Sequence, residues 1–71
     1  MTTNTMTDYD AVMIAEGAQE GDQLAAFAQL VRTGMAWTLQ GFFGRAASRL
    51  IEAGYLSNAG DILRRPEDDE D

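Results

Sequence analysis

The side chains able to do chemistry are few. The basic residues are Arg32, Arg45, Arg49, Arg64 and Arg65, set against 12 Asp and Glu, and the chain has no Cys, His or Lys. A Ser or Thr nucleophile would find neither imidazole nor amine to take its proton, which excludes hydrolytic triads. Without thiolate or imidazole, nearly every structural zinc arrangement is excluded as well. Glu16 and Glu20 stand four apart, a spacing open to acid–base work, yet such a pair near a helix end reads first as a solvated face. The acidic run Glu67 to Asp71 lacks the ligand spacing and the glycine of a calcium loop. The expectation is therefore a protein that is no enzyme, with no catalytic residue, no metal and no cofactor.

One stretch remains with something to offer a ligand or a partner. Gln40-Gly41-Phe42-Phe43-Gly44-Arg45 opens a helix with two glycines. Free backbone N–H groups there can cradle an anion, with Arg45 and Arg49 adding charge from one face. The string is not a Walker loop, which needs Gly-Lys-Ser/Thr after a strand. The plainer reading is that Gly41 and Gly44 permit tight helix packing and Gln40 caps a backbone group. Trp37 and Phe43 read as core. Phe42, next to Phe43, points off the main stripe and is the best candidate for contact with a partner chain. The candidate ligand- or partner-binding set is thus Gln40, Gly41, Phe42, Gly44, Arg45 and Arg49.

Helices must position these residues. Thr7-Asp8-Tyr9-Asp10 has the form of a capping box, with carboxylates in the first turn. It opens a helix that ends by Gly17, with Tyr9, Val12 and Met13 along one face. Asp22 is a fitting N-cap for a second helix, Gln23 to Thr33, whose Leu24, Phe27, Leu30 and Val31, followed by Met35, keep the spacing of a buried stripe. Arg32 and then Gly34 supply its stop. Residues 35–40 form a bridge, either a short helical turn or a kinked continuation. A third helix runs from Gly41 to Ala53 and ends at Gly54. It has an apolar stripe of Phe43, Ala46, Ala47, Leu50 and Ile51, with Arg45, Ser48, Arg49 and Glu52 facing away. Gly44 inside that helix suggests close approach of another backbone at Trp37. Tyr55 and Leu56 fold back on the core, Ser57 to Gly60 turn, and Asp61-Ile62-Leu63 adds a last apolar contact. The fold class is all-α: a small three-helix domain, made of a helix hairpin and a short N-terminal helix. Residues 1–6 are expected disordered, residues 7–63 form the domain, and residues 64–71 form a disordered acidic tail.

Size and charge narrow the setting. A chain of 71 residues is a single domain that buries only about 60% of its unfolded surface. With no disulfide or metal to staple it, self-association or a protein partner is the remaining support. Net charge is −7, placed as −5 over residues 1–22, +1 over 23–63 and −3 over 64–71. Two acidic ends around a nearly neutral centre work against binding a nucleic-acid duplex. A helix–turn–helix reading with Arg45 and Arg49 on the reading helix is kept as a weaker alternative, as is an acidic tail that imitates DNA or meets a basic host surface. The start has no basic residues followed by an apolar run, and no stretch approaches the roughly 20 apolar residues of a membrane span.

From Phe27 to Gly54 the chain reads Phe27, Leu30, Val31, Gly34, Ala36, Trp37, Leu39, Gln40, Gly41, Phe43, Gly44, Arg45, Ala47, Leu50, Ile51 and Gly54. This resembles a pattern carried by a family of small proteins of tailed bacteriophages, notably those infecting actinobacteria. Its most specific string is Trp-x-Leu-Gln-Gly-x-x-Gly-Arg, and the likeness extends weakly from about Asp10 to about Leu63. Phe43 stands where the pattern usually has Tyr, so no phenolic hydroxyl acts at that place. The resemblance implies a phage or prophage origin and the host cytoplasm as setting, and it carries no activity. Together these readings lead to the expectation of a phage accessory protein that acts by binding, as a homo-oligomer and on a host protein. The alternative is a nucleotide- or anion-binding module built on Arg45 and Arg49.

Overall fold

A computed structural model of the chain describes residues 6–39 and 41–65. Four helices occupy them: α1 (Asp8–Ala15), α2 (Gln23–Thr33), α3 (Met35–Thr38) and α4 (Gly41–Glu52). The all-α class expected from the sequence is what the chain adopts. The bridge between the second and third expected helices is a helical turn of its own, α3. The disorder expected for residues 1–6 and 64–71 falls mostly outside the described residues, so does any statement about Gln40.

Local chemistry sets the helix ends. At α1 the capping box is complete, with Asp10 N–H donating to Thr7 Oγ1 at 3.0 Å and Thr7 N–H to Asp10 Oδ2 at 3.4 Å. Asp22 Oδ1 accepts from Ala25 N–H at 3.1 Å and caps α2. Gly34, at φ +83°, ends α2 in the left-handed region. The end of α4 is a Schellman motif. Gly54, at φ +87°, donates its N–H to Ile51 O, and Tyr55 N–H reaches Leu50 O, both at 3.0 Å.

Two glutamines of α2 fix how α1 lies. Gln29 donates to Met6 O at 2.8 Å and to Asp8 Oδ1 at 3.0 Å, while Gln23 donates to Ile14 O at 3.2 Å. The start of α1 therefore lies at the end of α2 and its end at the start, so the pair is antiparallel. Among the described residues six of the thirteen buried apolar side chains are Ala: Ala11, Ala15, Ala26, Ala28, Ala36 and Ala47. Such small side chains let the helices approach closely around Leu24, Phe27, Leu30, Val31, Phe43 and Leu56. The face of α1 differs from expectation. Ala11, Ile14 and Ala15 point inward, Val12 and Met13 are half-buried, and Tyr9 is 69% exposed. Apolar residues fill every position from 11 to 15, so their spacing selects no face. Close packing on α2 favours the alanines, and the phenol stays in water.

After α4 the chain returns along α2. Leu56 is buried and forms an isolated antiparallel bridge with Ile62, and the turn between them is closed by Ser57. Gly60 sits on Ala28 and Arg32, and Arg32 Nη1 donates to its carbonyl at 3.1 Å. Arg65 then meets Asp22 at the head of α2, 2.6 Å between Nη1 and Oδ2. Arg64 lies over the Tyr55 ring, 4.7 Å from its centroid, and donates to Ala53 O. Both arginines, assigned from the sequence to the tail, are held against the domain. Among the described residues no helix is long and apolar enough to cross a membrane.

Candidate functional site

α4 presents three different surfaces. Phe43 and Ala47 face the core. On one flank Gly44 turns towards α3, where a Cβ at Gly44 would lie 3.4 Å from Ala36 O and 3.7 Å from the Trp37 ring. That is the close approach at Trp37 expected from the sequence, at the distance of ordinary contact. On the other flank α4 meets α2 over an apolar groove of about 430 Å³. Leu24 and Phe27 form the α2 wall, Ala46 and Leu50 the α4 wall, and Tyr55 stands at the end, with Gln23 and Arg49 as the polar margin.

Phe42 borders this groove. Its ring is 6.4 Å from that of Phe27 and 5.0 Å from that of Phe43, edge-on in both cases. It remains 46% exposed. The off-stripe position expected for Phe42 is observed.

The five described candidate residues do not converge on one pocket. Phe42 and Arg49 share the groove flank. Gly41 and Arg45 lie together in the first turns of α4, where the Arg45 guanidinium covers Gly41 so closely that a Cβ there would be 2.8 Å from Nη1. Gly44 faces α3 instead, and Gln40 lies outside the described residues. Arg45 and Arg49 are exposed and make no hydrogen bond or ion pair among the described residues. Arg32 does not join them, since its guanidinium is engaged at Gly60.

Trp37 departs from the reading as core: it is 50% exposed. It stands beside a hollow of about 280 Å³ with Ser48, Ile51, Glu52 and Asn58. The left-handed Gly34 interrupts the helical phase between α2 and α3, so the stripe of α2 does not carry over to Trp37. The groove is not visible in the sequence, because Leu24, Phe27 and Leu50 all keep the spacing of a buried stripe. Tyr55, just past a glycine cap, was the available signal.

Among the described residues the acidic side chains form no site. Glu16 follows the end of α1 and Glu20 lies in the connection, both exposed, so they share no helix face. Among the described residues no acidic cluster is placed to hold a metal ion. Two carboxylates titrate below their ordinary range. For Asp10 the cause is hydrogen bonding, first with the Thr7 side chain, then with the Thr7 N–H and Gln19. For Asp22 partial burial acts upward, but the Ala25 N–H, the Arg65 guanidinium and the Leu24 N–H together outweigh it.

The chain matches no curated protein and no solved structure. A family assignment comes from the whole folded part, because residues 5–68 match the Domain of unknown function DUF7417, and the chain belongs to that family.

Proposed function

We propose that this chain is a small accessory protein of bacteriophage origin that acts by binding and not by catalysis. It associates with itself and, in that form, modulates a protein of the host cytoplasm. The origin rests on the Trp37 to Gly54 motif and its phage-like pattern. The binding role rests on Phe42: a large aromatic ring, half in water, standing at the edge of an apolar groove. Exposed aromatics beside unfilled apolar surface are what interface anchors look like before the partner arrives. Trp37, half exposed beside a more polar hollow with Ser48, Glu52 and Asn58 on the opposite flank of α4, offers a second contact place, which we assign to the host protein.

Sedimentation equilibrium of the wild type beside Phe42→Ser tests this reading. The wild type is expected to associate and the variant to dissociate while keeping its helical circular dichroism. Equal association of both would remove Phe42 from the account. Turnover of nucleotides or cutting of nucleic acid, lost on Arg45→Ala, would overturn the binding role itself.

A second reading draws support from Arg45 and Arg49, two cations with no partner among the described residues. A nucleotide or other phosphate ligand held there would raise apparent stability. Absence of any thermal shift with millimolar nucleotides would set that reading aside.

A further inference from the structure

We propose that the groove flank of α4 is a homodimer seam, on which α4 of a second copy lies antiparallel with Phe42 of each chain seated against the groove of the other. This rests on the reading of the chain as a self-associating binding protein and names the surface that does it.

The argument is self-complementarity. Phe42, Ala46, Arg49 and Ala53 recur at four, three and four residues, so they form one stripe along α4 and its C-cap. The protruding ring is at one end of this stripe. The apolar hollow, with Leu50 and Tyr55, is towards the other. At 1.5 Å per residue the two ends are about 16 Å apart. A two-fold rotation reverses the helix and brings each knob to the partner's hollow, as an isologous interface requires. Ala46, with no side chain beyond Cβ, lets the helices close to the roughly 8–10 Å of a packed pair.

Charge agrees with shape. Arg45 and Glu52 are seven residues apart, on the same side of the stripe, and both are exposed. In an antiparallel two-fold pair the same flank of each helix meets its counterpart. With Phe42 opposite the partner's Ala53, Arg45 lies within two residues of the partner's Glu52, inside the reach of its long side chain. The contact forms twice by symmetry. Arg49 falls opposite the partner's Ala46, where its methylene stem covers apolar surface and its head reaches water. A foreign partner would have to supply both complements, whereas a second copy already carries them.

A charge exchange tests the seam. Arg45→Glu and Glu52→Arg are both at exposed positions, so each variant keeps the fold, which circular dichroism verifies. Each alone is expected to raise the dimer dissociation constant at least tenfold, because two like-charge contacts replace two ion pairs. An equimolar mixture is expected to restore the wild-type affinity as a heterodimer. If the wild type dimerises and neither variant changes it, this seam is wrong while self-association stands. If the wild type is a monomer at every concentration, both fail.

Discussion

Gly60 shows how much one residue can decide. Its φ is +93°, and a Cβ there would lie 2.5 Å from Arg32 Cγ, 2.7 Å from Ala28 O and 2.8 Å from Arg32 N. Two of those neighbours are helix backbone and cannot yield. Gly60→Ala is expected to lose about 3 kcal/mol, the sum of overpacking and the left-handed penalty. Gly34 has φ +83° but nothing within 4 Å of its missing Cβ, so Gly34→Ala should lose only the conformational part, about 1 kcal/mol. Gly44→Ala goes the other way. Its Cβ would make ordinary contact, and the helix propensity of Ala should add up to about 1 kcal/mol. Urea unfolding of the three variants checks the order, and equal losses at Gly34 and Gly60 would refute the packing of the C-terminal segment on α2. None of this ranking was legible in the sequence, where Gly60 read only as part of a turn. The tightness comes from Ala28 and Arg32, far away along the chain.

Asp22 is the residue whose role was legible, because an N-cap acts over three residues. Its link to Arg65 was not, since that contact spans most of the chain. Asp22 and Asp10 both titrate lower folded than unfolded. Their stabilising contribution is complete above the unfolded value of about 4 and disappears as pH falls through the lower folded values. The melting temperature is therefore expected to drop between pH 5 and pH 3. Asp22→Asn keeps a capping side chain and loses the ionic contact, so it should flatten that drop. An unchanged pH profile in the variant would remove Asp22 from the acid response.

At the scale of elements, the helices with strong periodicity were readable and the others were not. The bounds of α2 and its buried stripe follow from Leu24, Phe27, Leu30 and Val31, and the stop at Gly34 is local. The ends of α4 were readable for the same reason. α1 offers a capping box but no preferred face, so the face expected to carry Tyr9, Val12 and Met13 is not the buried one, which falls on Ala11, Ile14 and Ala15. Trp37 reads as core from the sequence, yet the turn at Gly34 rotates α3 so that the indole is half in water. The monomer should therefore emit at the long wavelengths of a solvated indole and be quenched readily by iodide or acrylamide. Blue-shifted, protected emission in the isolated chain would contradict the placement of α3. The candidate site was legible only in part. Phe42 and the exposed Arg45 and Arg49 stand where their spacing puts them, but the groove between α2 and α4 needs three segments at once.

For the whole molecule, the fold of this 71-residue chain leaves an alanine-rich core and one apolar groove beside α4 still open to water. A core of that kind is thin, and burying Phe42 with its groove against a second copy would reinforce it by hydrophobic contact. On the proposed reading, self-association and a small core are two sides of the same composition. Dimerisation should also raise the melting temperature as protein concentration rises. The most direct measurement is the mass in solution by light scattering over a hundredfold range of concentration. A mass of two chains, falling towards one on dilution, is the predicted result. A single chain of 7.7 kDa at every concentration, fully folded, would contradict the account.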